Sequence, residues 1–401
     1  MRLHILGLGP VGNLVAFHLR RVLPSHHSIT LIHKDQKQAN TSLSHGGIIR
    51  IENEGIVATA HDFGSEVFEA TKPAIPSAAS GVIRGGADII DSLFITTKAH
   101  TTLRAVRRLL PRLSPNATIV LMHNGMGVYE ELIHEIFRNP EQRPHFILSS
   151  NTHGVFRKDV KHYVHTGVGS IKIAIVPDPG GRDFEAGFND TTVLHSERRP
   201  RLSDITSLES DPMYKRYASL RDTVAALLLA QPLDVSWLPL SDFQTVMRRK
   251  LVANAVINPL TALMGCRNGD IFTTNSAVRI MQRVCSEASQ AFEAEFSADS
   301  KAWSGGLISQ GIKTEDIPIG QFPRELINVA LEEEVRRVAE ATKGNISSML
   351  ADVRRGRRTE VEYINGYLLR LGATYRIPMP TTAVLLNLVK MRSAIPVDQM
   401  L

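Results

Sequence analysis

The first nineteen residues constrain this chain more than any other stretch. Arg2-Leu-His-Ile-Leu6 reads as a short apolar strand that runs straight into Gly7-Leu8-Gly9-Pro10-Val11-Gly12. Helical periodicity follows through Leu14, Val15, Phe17, His18 and Leu19. Strand, G-x-G-x-x-G, then helix is the arrangement that binds a dinucleotide. The glycines permit the tight turn and let the backbone approach a pyrophosphate, while the helix N-terminus supplies N–H groups and a positive dipole end. Glycine turns are common, so the strand-to-helix context carries the inference. Gly7, Leu8, Gly9, Pro10, Val11 and Gly12 are accordingly the expected cofactor contacts.

A second strand is expected at Ser28-Ile-Thr-Leu-Ile32. At its end an NAD-specific site places an acidic residue against the ribose hydroxyls. Here stand His33 and Lys34, followed by Asp35. A cation there suits a 2′-phosphate and favours NADP(H); a solvated charged loop is the alternative.

Residues 36–90 are rich in Ser, Gly, Asn and His, with short strand-like runs at Gly47–Ile51 and Ile56–Thr59. Ala70–Ser80 is rich in Pro, Ala and Ser and reads as a surface insertion. A buried strand follows at Ala87–Thr97 and ends at Lys98; another, Ala117–Met122, ends in His123-Asn124-Gly125-Met126-Gly127. Ligands of an open parallel sheet sit off the carboxyl ends of its strands, which makes Lys98 and Asn124 site candidates. The alternatives are a loop ion pair for Lys98 and a turn-forming Asn-Gly for Asn124. Phe146–His153 is a further strand, and Lys161–Ile175 reads as an antiparallel pair about a glycine turn. Residues 177–215 are polar, proline-bearing and poorly periodic, as expected of a long insertion or mobile loop.

From about 240 to the end the sequence is nearly all helical in period, with Gly344 and Gly356 as breaks. Its first helix, Met247–Leu263, places Lys250, Asn254 and Asn258 on one face, because they recur every fourth residue. Apolar residues cover most of the remaining circumference, so the helix is expected to be buried and its polar stripe to face something enclosed. A buried lysine has a lowered pKa unless it is paired, and such a lysine can serve in acid/base chemistry. The alternative is a snorkelling Lys with two capping Asn. Pro259 is expected to end or kink this helix.

Composition narrows the function classes. The chain has 401 residues, 43% hydrophobic and 21% charged, with a formal net charge of +6. That is an ordinary globular balance with a preference for anions. No dense Lys/Arg run with interleaved aromatics points to nucleic acid, and no stretch is apolar enough to span a bilayer. Cys266 and Cys285 are too few for a disulfide framework or a metal-ligand set. With a strand starting at residue 2, a cleavable presequence has no room, so a cytoplasmic location is expected, a mitochondrial one remaining open.

Six motifs in order then carry a resemblance: Gly7–Gly12, Thr97-Lys98-Ala99, His123–Gly127, Lys250–Thr261, Ser347-Ser-Met-Leu350 and Thr359–Gly366. Together they resemble the ketopantoate reductase (2-dehydropantoate 2-reductase) family. The resemblance implies an α/β fold: a Rossmann-type NADP-binding domain over 1–237, with insertions near 36–90 and 177–215, then an all-helical substrate and dimerisation domain over 238–401. It implies NADPH-dependent reduction of 2-dehydropantoate to (R)-pantoate in pantothenate and coenzyme A biosynthesis, by a monomer or homodimer. In such a protein Lys250 is the general acid and Glu360 the carboxylate that hydrogen-bonds the substrate. Asn124, Asn254, Asn258, Asn268 and Ser348 are polar substrate contacts. Lys98 lies near the nicotinamide, with Asn124 beside it, and Lys34 faces the 2′-phosphate. The chain departs from compact members in its length, in having Lys34 where Arg is usual, and at Met264–Arg267. These departures bear on substrate range. A reductase of another 2-oxo acid and a non-catalytic NADP-binding scaffold are the alternatives.

Overall fold

A computed structural model describes residues 1–68, 83–84, 89–207, 210–317 and 320–395; the expected surface insertion at Ala70–Ser80 lies outside them. The chain forms two compact units. One comprises Met1–His123 and Val128–Phe243, the other Asn124–Gly127 and Gln244–Leu401.

The first unit begins β1 (Arg2–Leu6), α1 (Pro10–Val22), β2 (Ser28–His33), α2 (Gln36–Ser44), β3 (Ile49–Asn53), β4 (Ile56–Ala60) and β5 (Gly64–Val67). It continues β6 (Ile83–Arg84), β7 (Ile90–Ile95), α3 (Ala99–Leu109), β8 (Leu113–Leu121), α4 (Val128–Glu135) and β9 (His145–Asn151). Then come β10 (Gly154–Asp159), β11 (His162–Gly167), β12 (Ile171–Ile175), α5 (Ala186–Asn189), α6 (Leu202–Ile205), α7 (Tyr214–Leu229) and β13 (Val235–Trp237). The main sheet has the order β13-β12-β9-β8-β7-β1-β2-β5-β6. From β9 to β6 every pairing is parallel, and β12 joins β9 antiparallel. A parallel sheet is covered on both faces, so its strands are apolar runs rather than alternating ones. Leu3 and Ile5 of β1 and Leu93, Phe94 and Ile95 of β7 are all fully buried.

A second sheet, β10-β11-β3-β4, packs against α1. Ile49, Ile51 and Tyr163 from this sheet share one core with Leu14, Val15 and Phe17 of α1 and Ile29 and Leu31 of β2. The stretch 36–90, expected as an insertion, therefore contributes α2, the β3–β4 hairpin and the strands β5 and β6 of the main sheet. The antiparallel pair expected within Lys161–Ile175 does not form: β11 pairs with β10 and β3, whereas β12 pairs with β9 and β13. The glycine turn is where the chain changes sheets. A Cβ on Gly169 would lie 2.5 Å from the Thr152 carbonyl carbon, so only glycine lets the two backbones approach there.

Residues 177–215 also differ from a mobile loop. Phe184 and Ile205 are buried in the core of this unit, at 3% and 0% exposure. Arg182 pairs with Asp211 at 2.6 Å and stacks over the Tyr217 ring of α7, whose hydroxyl donates to Asp178. Two large apolar residues and one ion pair anchor a segment whose remaining composition reads as loop.

The second unit carries α8 (Leu240–Met264, from Gln244 on), α9 (Asn275–Ser309), α10 (Asn328–Ala341), α11 (Ser348–Arg354), α12 (Val361–Tyr375) and α13 (Pro380–Ala394). Its core gathers Val252 and Val256 of α8, Val284 and Ala288 of α9, Leu331, Leu368 and Val389. Pro259 does not end α8; the helix runs on to Met264. A proline inside a helix leaves the carbonyl four residues back without its N–H donor. That carbonyl belongs to Ala255, and the Asn365 side-chain amide of α12 donates to it at 2.9 Å. The bond offsets the loss and ties α8 to α12. Among the described residues no helix is long and apolar enough to cross a membrane.

Candidate active site

The second unit holds a small recess lined by Asn124, Gly125, Met126, Met247, Lys250, Leu251 and Asn254. Lys250 and Asn254 stand one helical turn apart on α8, so the four-residue spacing aims both into the same space. Asn124 arrives from the loop after β8, and its position rests on backbone. Met126 N–H donates to the Tyr363 carbonyl at 2.9 Å. Gly125 has φ +86°, and a Cβ there would sit 2.4 Å from that same carbonyl oxygen. Glycine is required twice over, by its conformation and by the close approach.

Burial pushes the Lys250 ammonium down to about 8, and the Glu360 carboxylate partly opposes that fall. Lys250 as a whole residue is half-buried and lines the recess. Glu360 is 5% exposed and stands immediately before α12, three residues ahead of the Tyr363 carbonyl that holds Met126. A lysine in this state is largely protonated at neutral pH yet gives up its proton more readily than a solvated one.

The remaining expected substrate contacts do not line the recess. Asn258 lies one further turn along α8 and is buried at 6%. Asn268 donates to the Thr342 hydroxyl at 2.9 Å, and its buried side-chain oxygen has no hydrogen-bond partner. Ser348 opens α11 and is exposed, whereas Ser347 is the cap, accepting from Leu350 N–H and from the Thr261 hydroxyl. Asn365 and Tyr363 were within reach of sequence reading only as parts of a motif. Nothing local marks one as the donor that permits Pro259 and the other as the clamp on the Asn124 loop.

The first unit shapes a dinucleotide cradle at the carboxyl ends of its strands. Gly7 has φ +101°, and an added Cβ would meet the Thr97 nitrogen at 2.5 Å. On Gly12 it would meet the Gly7 carbonyl oxygen at 2.2 Å, but on Gly9 it would meet nothing within 4 Å. Two glycines thus close the turn, and the third leaves open space before the first turn of α1. Pro10 takes the first helical position, where a missing N–H costs nothing. The Thr96 hydroxyl donates to the Gly7 carbonyl, bringing the end of β7 and Lys98 to the same turn. Lys98 is the residue before α3, in extended conformation. Lys34 is exposed at the end of β2, its N–H donating to Gln38 at 2.8 Å. The neighbouring Asp35 carboxylate accepts from Gln38 N–H and caps α2. That local bond turns the Asp35 carboxylate to the start of α2.

Comparison with known proteins agrees along the chain. Residues 3–178 match the family model described as "Ketopantoate reductase PanE/ApbA", and residues 242–393 the one described as "Ketopantoate reductase PanE/ApbA C terminal". A protein of Schizosaccharomyces pombe named "Probable 2-dehydropantoate 2-reductase" is 25% identical over 399 residues, covering 97% of this chain and 96% of its own. The Saccharomyces cerevisiae 2-dehydropantoate 2-reductase is 26% identical over 375 residues, 92% of this chain and 87% of its own. Among solved structures, a PanE/ApbA family ketopantoate reductase from Ralstonia eutropha JMP134 superposes with a TM-score of 0.66 at 19% identity, over 98% of this chain and 99% of its own. A D-mandelate dehydrogenase, solved with NADH and anilino(oxo)acetate, has a TM-score of 0.67 at 16% identity over 98% and 99%. At those identities the two superpositions speak for the fold.

Proposed function

The chain belongs to the ketopantoate reductase family, and from that premise we propose that it reduces 2-dehydropantoate to (R)-pantoate with NADPH, Lys250 acting as general acid. Ketone reduction needs a hydride at carbon and a proton at oxygen. The dihydronicotinamide supplies the hydride when bound. Everything else falls to residues of this chain.

The observation that carries the reading is the recess in which Lys250, Asn254 and Asn124 converge. The Lys250 ammonium hydrogen-bonds the ketone oxygen, stabilises charge as it builds there, and gives up a proton to complete the alcohol. Its lowered pKa helps that transfer, and Glu360 keeps enough of the protonated form at neutral pH. The side-chain amides of Asn124 and Asn254 donate to substrate oxygens; Asn258, Asn268 and Ser348, which stand outside the recess, are the further contacts that the family resemblance implies. Glu360 accepts from a substrate hydroxyl. Gly7 to Gly12, with Leu8, Pro10 and Val11 between the glycines, hold the pyrophosphate; Lys98 and Asn124 serve the nicotinamide end, and Lys34 the 2′-phosphate. The place in metabolism is the pantoate branch of pantothenate and coenzyme A biosynthesis.

Steady-state turnover tests this directly. With NADPH, 2-dehydropantoate should exceed unbranched 2-oxo acids and 2-oxo-2-phenylacetate in kcat/KM by at least about tenfold. A higher value for either competitor moves the protein to another substrate, and no turnover of any 2-oxo acid makes it a binding protein.

A further inference from the structure

Lys161 is a buried cation of the first unit that the proposed function leaves unused. It is 6% exposed, and its Nζ is buried with no hydrogen-bond partner among the described residues. Burying an ammonium without a partner is among the costliest arrangements a folded chain tolerates. His33, fully buried at the carboxyl end of β2, has neither ring nitrogen hydrogen-bonded.

His33 lies on the face of β2 that carries Ile29 and Leu31 into the core shared with α1. Lys161 lies two residues before Tyr163, which enters the same core from β11. The Lys161 backbone is fixed by its carbonyl accepting from Arg50 N–H of β3 at 2.8 Å, with φ +55°. Lys161 and His33 are close enough for the lysine charge to depress protonation of the imidazole, which burial has already pushed down to about 4. Lys161 is itself pushed down to about 8, by burial first and then by Arg157. Lys34 adds a third basic group, exposed, one residue on from His33.

In a doubly wound domain the carboxyl end of the second strand meets the adenosine ribose. We propose that Lys161 and His33 form a second, buried half of the 2′-phosphate site, behind the exposed half provided by Lys34. A phosphate monoester is a dianion with three strong acceptor oxygens, which the ammonium and one imidazole N–H can serve. The four-carbon lysine stem lets the ammonium swing to meet it. Among the described residues the ammonium has no hydrogen-bond partner, and the ligand supplies one. This inference rests on the NADPH reading above.

Calorimetric titration with adenosine 2′,5′-bisphosphate and with AMP tests it without turnover. In wild type the bisphosphate should bind more tightly than AMP. Lys161→Met should weaken the bisphosphate by about tenfold or more and AMP by less than about twofold. Its unliganded Tm should hold or rise, because an unpaired buried charge has gone. Should the methionine variant fail to fold, Lys161→Gln and His33→Phe are read by the same two probes. Equal weakening of both probes, or undiminished bisphosphate binding by a folded variant, overturns the proposal. If wild type binds the two probes equally, the NADPH reading fails and takes this inference with it. A selective wild type with an unchanged Lys161→Met fails this inference alone.

Discussion

Lys250 and Lys161 are both pushed by burial down to about 8, and there the likeness ends. Lys250 lines a recess and has the Glu360 carboxylate to offset part of its desolvation. For Lys161 the influence that follows burial is the like-charged Arg157, which lowers it further. Desolvation alone therefore brings a lysine toward neutral pH at either place. What the lysine does with that poise depends on its neighbours. Beside a recess and a carboxylate it is placed to pass a proton; beside the His33 imidazole at the end of β2 it is placed, on the proposal above, to meet an anion.

The largest effect expected from breaking this comparison is on the proton. Lys250→Ala should lower kcat by about two to four orders of magnitude while NADPH dissociation stays within about twofold. Fluorescence titration of the cofactor alongside single-turnover kinetics separates the two. Retention of most turnover by a variant that still binds 2-dehydropantoate would make the polar stripe of α8 structural.

A second test asks whether residues 177–215 support the first unit or merely decorate it. Phe184→Ala should cost about 3–4 kcal/mol of stability, the usual span for emptying a buried aromatic site. Chemical denaturation followed by circular dichroism reads it. A loss below about 1 kcal/mol would return the segment to the loop that its composition suggests.

The smallest effect is at the exposed end of the nucleotide site. Lys34→Glu should shrink the preference for NADPH over NADH by about tenfold, equivalent to about 1.4 kcal/mol, with kcat for NADPH nearly unchanged. An unaltered ratio of kcat/KM for the two cofactors would remove Lys34 from the phosphate site.

The dinucleotide turn was legible because its glycines answer a local demand: Gly7 and Gly12 sit where any Cβ would strike backbone. The polar stripe of Lys250 and Asn254 was legible because a helix repeats every 3.6 residues. Interactions across long stretches of chain were not. Pro259 reads as a helix end until Asn365, more than a hundred residues away, supplies the donor that Ala255 lacks. Gly169 reads as a hairpin turn until the backbone at Thr152 shows why the chain must switch sheets there. Phe184 and Ile205 are single apolar residues in polar surroundings, a pattern with no period to detect. The same holds for the site: Asn258, Asn268 and Ser348 are implied by the resemblance, but the recess itself collects Asn124, Lys250 and Asn254.

The pH dependence of kcat/KM, measured on wild type and on Glu360→Gln, tests the central claim most directly. Lys250 acts in its protonated form, and its pKa lies at about 8 in the folded protein. The rate should be level below that pH and fall as pH rises through it. Glu360 raises that pKa, so its neutralisation should carry the falling limb to lower pH. A wild-type rate that stays flat to pH 10, or a limb that stays in place in Glu360→Gln, would contradict Lys250 as the acid.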